Sequence, residues 1–204
     1  MFPAKRYLDA GAYTSGYFRE LARASSEIET KQIERAAAVL HQTMVADRAI
    51  FACGNGGSAA ISNHLLCDFS KGVQTGTSLR PRVISLSSHV ELITAIGNDI
   101  SFDDIFSYQL RTAARPGDVL FSISSSGDSA NIVRSVEWAQ KNDVRTIALT
   151  GFTGGRSAAL SEINIHVPSE NYGIVEDLHQ SIMHILAQFV RMQAMPESSD
   201  AYKF

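Results

Sequence analysis

The stretch Phe51-Ala52-Cys53-Gly54-Asn55-Gly56-Gly57-Ser58 constrains this chain more than any other. The apolar run Ala49-Ile50-Phe51-Ala52 predicts a buried strand. It breaks into two glycines flanking Asn55, then Gly57-Ser58, and a helical pattern follows from Ala59 to Phe69. A strand, a glycine-rich turn and a helix start together make an anion site. Unpaired N–H groups point outward there, and the helix dipole favours negative charge. Glycine lets the backbone come close to the anion, and Ser58 is placed to act as N-cap and hydroxyl donor.

A second segment repeats the design. Asp118-Val119-Leu120-Phe121-Ser122-Ile123 predicts a strand, Ser124-Ser125-Ser126-Gly127-Asp128-Ser129 a hydroxyl-rich turn, and Ala130 to Lys141 a helix. Serine, glycine and aspartate are ordinary turn residues. Four serines in six positions at a strand-to-helix junction nevertheless favour phosphate binding. No Gly-Lys-Ser/Thr follows, which excludes a P-loop, and the third glycine of the dinucleotide fingerprint is missing. The ligand these turns predict is a small phosphorylated metabolite, held without lysine or magnesium.

Further strands are predicted at Arg82 to Leu86, Arg145 to Leu149 and Ile163 to Val167. Helices are predicted between most of them, around Val90 to Ile96 and Phe102 to Ala114, and a long final helix from about Tyr172 to Met195. Two helices come first, roughly Asp9 to Ala24 and Glu27 to Ala46. Ser26 and Glu29 form a candidate capping box, and Ile33, Ala37, Leu40 and Met44 an apolar stripe. Alternating strands and helices imply a parallel sheet covered on both faces, with ligands beyond the carboxyl ends of the strands. The Gly-, Thr- and Ser-rich segment Lys71 to Pro81 is expected to border the site.

Length points to one domain, spanning 1–204: leading helices in 1–47, sheet core in 48–170, final helix in 171–197. A net charge of -3 with scattered Lys and Arg argues against a broad nucleic-acid surface. No apolar run suits a membrane span or a secretory leader. Cys53 and Cys67 do not make a disulfide framework, so the expected compartment is the cytoplasm. Ile174, Leu178, Ile182 and Ile185 on the final helix, with the leading helices, offer more apolar face than one sheet covers, which predicts self-association.

The titratable residues add chemistry. His64 and Asp68 lie at i and i+4 on the helix after Ser58. Glu176 and His184 lie eight residues apart on the final helix, within roughly 80° of each other by helical geometry. Histidine and carboxylate pairs on two helices suit zinc. Equally, they suit proton transfer on either side of a bound sugar phosphate, which interconverts an aldose and a ketose through an enediol.

Cys53-Gly54-Asn55-Gly56-Gly57-Ser58, Ile123-Ser124-Ser125-Ser126-Gly127-Asp128-Ser129, Leu149-Thr150-Gly151 with Gly154-Gly155, and Glu176-Asp177-Leu178-His179 with His184 resemble the sugar isomerase (SIS) domain. The spacings from Ser58 to His64 to Asp68 and from Glu176 to His184 resemble its phosphoheptose isomerase branch, which converts sedoheptulose 7-phosphate to D-glycero-D-manno-heptose 7-phosphate. The resemblance implies a flavodoxin-like five-stranded parallel sheet and a homotetramer with sites at subunit boundaries. It implies phosphate on Ser58, Ser124, Ser126 and Ser129, with Asn55 near the sugar; Gly56, Gly57, Ser125, Asp99 and Glu176 complete the expected substrate-binding set. The expected metal is zinc, one per site, on His64, Asp68, Glu176 and His184, with Asp68 and His184 as the catalytic pair.

This chain departs from the branch at Asp68, where a glutamate is usual, at Glu176, where a glutamine is usual, at Ile61, usually aspartate, and at Asp128, usually asparagine. Paired changes at positions 68 and 176 suit a retuned metal site or a shifted substrate better than a dead enzyme. A carboxylate bound to zinc is a poor base, so the two roles of Asp68 compete. The alternatives are a non-catalytic SIS protein that binds another protein, and a sugar-phosphate sensor.

Overall fold

The computed structural model describes residues 2–196. Five strands, β1 (Ala49–Gly54), β2 (Arg82–Ser85), β3 (Val119–Ser124), β4 (Arg145–Thr150) and β5 (Ile163–His166), form one sheet in the order β2-β1-β3-β4-β5. Every pairing is parallel, with Ala52 opposite Ser85 and Phe51 opposite Leu120. All six residues of β1 and of β3 are buried, as expected when helices cover both faces.

Alternation along the strands sorts side chains into two cores. Ile50 and Ala52 of β1, with Val119, Phe121 and Ile123 of β3, face α2 (Thr30–Val45), α3 (Gly57–Cys67) and α8 (Tyr172–Ala194). Ala49, Phe51 and Cys53, with Leu120, face α4 (Val90–Asp99), α5 (Ser107–Ala113) and α6 (Ala130–Lys141). A short helix, α7 (Gly155–Leu160), follows β4, and α1 (Ala10–Ser26) lies outermost, burying only Gly16 and Ala24. The strand order reverses direction between β1 and β3, the switch point where such sheets bind ligands, and both predicted turns fall there.

Four local expectations change. The Ser26–Glu29 capping box does not form, because α1 runs through Ser26, whose hydroxyl donates back to the Arg23 carbonyl; Glu29 caps α2 without a side-chain bond. The helix after Ser58 continues into a π-helical turn at Asp68–Val73, which takes up the start of the segment predicted as a loop. The predicted helix over Phe102–Ala114 divides into a 3₁₀ turn at Phe102–Asp104, capped by the Ser101 hydroxyl, and α5. Ile174, Leu178 and Ile182 are buried within the chain's own core, leaving Ile185 outside. Residue 197 and the tail to Phe204 lie outside the described residues.

Candidate active site

The turn after β1 is shaped by Gly56, which caps α3 with φ +55°, a left-handed conformation natural to glycine. Ser58 is thus the second residue of α3 rather than its N-cap, and it is buried beside the turn. With Asn55 it lines a cavity of about 110 Å³ shared with Ser124, Ser125, Ser126, Ser129, Tyr172 and Glu176. The Ser125 hydroxyl is buried with no protein partner, and Ser129 begins α6 without spending its hydroxyl on a cap. Ser124 and Ser126 accept from the Gly127 and Asp128 N–H groups at 3.1 and 3.3 Å, which leaves their O–H groups to donate. This is a cradle of hydroxyls at two helix starts, suited to an anion.

The serine turn is held from both sides. Asn55 and Asn131 exchange amide hydrogen bonds at 2.9 and 3.1 Å, tying the glycine turn to α6. From the other side, Gly151 donates to the Ser125 carbonyl and Ser157 to the Gly127 carbonyl. Gly127, at φ +68°, lies so close to the Gly154 backbone that a Cβ would fall 2.6 Å from its carbonyl carbon. Asp128, which the sequence places as a negative charge beside the cradle, is paired with Arg156 of α7 at 2.7 Å, and that guanidinium lowers its pKa.

α3 and α8 pack side by side with their starts at the cavity. At the first turn, the Glu176 carboxylate lies against Gly57, where a Cβ would fall 2.7 Å from Glu176 Cδ. One to two turns further on, Asp68 Oδ2 accepts from His184 Nδ1 at 2.7 Å, and Asp68 Oδ1 lies 3.2 Å from His64 Nε2. The two imidazoles stand at 85° with centroids 4.9 Å apart. Ligand atoms of His64, Asp68 and His184 all lie within 4.8 Å of one another, and these residue types suit a divalent metal.

Among the described residues, His64, Asp68 and His184 of the four expected metal ligands form a close group, and Glu176 lines the cavity. Eight residues of rise set the Glu176 and His184 backbones about 12 Å apart along the axis, with Glu176 at the cavity end. Asp99 ends α4 on the surface, bonded to Asn98, and does not line the cavity. Tyr172, Asn131, Arg156 and Gln180, whose amide lies between the two imidazoles, were missed. Only the last carried a sequence signal, its position four residues before His184 on the same helix face.

The SIS domain family matches over residues 15–151. The phosphoheptose isomerase of Colwellia psychrerythraea is 36% identical over 177 residues, spanning 85% of this chain and 90% of that protein. The solved phosphoheptose isomerase from Neisseria gonorrhoeae aligns with a TM-score of 0.81 at 32% identity, covering 89% of this chain and 96% of that one. A solved phosphoheptose isomerase from Francisella tularensis gives 0.80 at 28% identity, covering 90% and 96%.

Proposed function

This chain belongs to the SIS domain family, in its phosphoheptose isomerase branch, and we propose that it interconverts sedoheptulose 7-phosphate and D-glycero-D-manno-heptose 7-phosphate in heptose precursor synthesis. What carries the reading is one pair of helices, α3 and α8, with a hydroxyl cradle at their starts and a histidine–aspartate–histidine group one to two turns along. The phosphate binds in the cradle on Ser58, Ser124, Ser125, Ser126 and Ser129, aided by nearby backbone N–H groups. Asn55 and Glu176 meet the sugar hydroxyls, and the carbonyl end extends toward Asp68 and His184.

Isomerisation moves two protons. One leaves carbon 1 of the ketose and returns at carbon 2; the other passes from the carbon 1 hydroxyl to the carbon 2 oxygen. Asp68 takes the carbon-bound proton, and His184, bonded to it at 2.7 Å, handles the oxygen-bound one. Zinc, one per site, suits the donors of the His64, Asp68 and His184 group, where it would supply Lewis-acid polarisation of the carbonyl.

The working form is a homotetramer of single SIS domains in the cytoplasm. Exposed Phe18, Ile185, Phe189 and Met192 support self-association, together with a cavity of about 340 Å³ between α2 and α8. Two unpaired cysteines suit a reducing compartment. No helix among the described residues is long and apolar enough to cross a membrane.

NMR of sedoheptulose 7-phosphate incubated with the protein tests the activity. The aldose should form with wild type, and His184→Ala should abolish turnover while phosphate binding persists. Turnover at the wild-type rate in His184→Ala removes that residue from the chemistry. Binding without turnover by wild type makes the protein a sensor.

A further inference from the structure

The His64, Asp68 and His184 group has a neighbour that does not titrate. Gln180 lies one turn before His184, and its Nε2 stands 2.9 Å from His184 Nε2 and 3.2 Å from His64 Nδ1. A carboxylate only accepts, so Asp68 receives the N–H of His184 Nδ1, while its other oxygen lies 3.2 Å from His64 Nε2. An amide nitrogen only donates, so His64 Nδ1 and His184 Nε2 both turn a lone pair toward Gln180. A carboxylate behind an imidazole is how a metal-binding histidine is held in one tautomer.

The spacing also fits an ion. Ligand atoms of a tetrahedral cation about 2.1 Å from its centre stand about 3.4 Å apart. The amide end already lies close to that distance from both nitrogens. A half-turn about its last bond exchanges the amide nitrogen for the carbonyl oxygen, an acceptor with two lone pairs. Glu176, one turn earlier on α8, lines the phosphate cavity instead.

We infer that Gln180 is a metal ligand: its side-chain oxygen joins His64 Nδ1 and His184 Nε2 on a divalent cation, with Asp68 holding the His184 ring from behind. The inference rests on the zinc reading above and removes its internal conflict, because a carboxylate outside the ligand set stays free to act as a base.

Zinc affinity by chelator competition, with the visible spectrum of the cobalt-substituted protein, tests this in wild type, Gln180→Ala, Gln180→Glu and Glu176→Gln. Gln180→Ala should weaken zinc by at least about 10-fold and change the cobalt bands. Gln180→Glu should keep or raise affinity, since its oxygen ligates although it donates no N–H. Glu176→Gln should stay within about twofold of wild type. Wild-type affinity in Gln180→Ala overturns the inference, as does equal loss in Gln180→Ala and Gln180→Glu, which would make the amide only a hydrogen-bond donor. Loss in Glu176→Gln alone also overturns it. A wild-type protein that takes up no zinc overturns the zinc reading itself.

Discussion

Gly57 and Glu176 face each other across the first turns of α3 and α8, and the Glu176 carboxylate occupies the space a residue 57 side chain would need. The obstacle is the movable end of a flexible side chain, and alanine is favoured over glycine within a helix by up to about 1 kcal/mol. Gly57→Ala should therefore change stability by less than about 1 kcal/mol. Its KM for the sugar phosphate should rise as in Glu176→Ala, because the carboxylate must swing aside. Denaturant titration and steady-state kinetics read the two effects separately, and an unchanged KM would take Glu176 out of substrate binding.

Ser125→Ala separates binding from folding. The hydroxyl is buried without a partner, so its removal strands no other group and should leave stability unchanged or slightly raised. A hydroxyl bonded to a charged phosphate oxygen contributes about 1.5–3 kcal/mol, so sugar-phosphate affinity should fall roughly 10-fold or more. Calorimetry with the substrate measures the loss.

Gly127 tolerates no side chain. Its φ of +68° and the Gly154 backbone against it leave only backbone to move, so Gly127→Ala should cost on the order of 3 kcal/mol or more. Arg156→Ala, which removes an exposed, solvent-screened pair with Asp128 from the same turn, should cost far less. Chemical denaturation of both variants checks the contrast.

Stability should fall as the solution is acidified. Burial keeps His179 neutral in the fold and pushes its pKa from 6.5 down to about 4. Below pH 6.5 the unfolded chain gains a proton that the fold refuses until about pH 4. The associated stability is complete above that window and is lost progressively through it, at most about 3 kcal/mol. Burial lowers the pKa of His166 as well, in the same direction. Denaturation across this pH range should show the slope in wild type and a shallower one in His179→Leu; equal slopes would assign the dependence elsewhere.

The strands were legible because each is a short apolar run ending at a glycine, a serine or a polar turn, and α6 formed at the predicted Ala130–Lys141. The serine cradle was legible for the same reason, since backbone direction at a strand-to-helix junction fixes where hydroxyls point. What stayed hidden depends on side chains meeting across elements. Glu176 and His184 share a helix face, but only contacts across elements show Glu176 against Gly57 and His184 against Asp68. Gln180 was passed over because an amide does not titrate. The π-helical turn at Asp68–Val73 left no sign in apolar spacing, because Asp68, Phe69, Gly72 and Val73 are buried as an ordinary helical stripe would be.

The mutual amide pair of Asn55 and Asn131 sets an arithmetic for recognition. Each amide begins with two N–H donors and two acceptor lone pairs, and the exchange consumes one of each. Asn55 therefore retains one donor and one acceptor for the cavity it lines. That remainder matches a single hydroxyl held as both giver and receiver of a proton, and it has little left for a second one. An aldehyde or ketone oxygen at the same place would satisfy only half of it. The turn after β1 thus discriminates by counting, favouring a sugar that presents one hydroxyl there over one that presents a carbonyl.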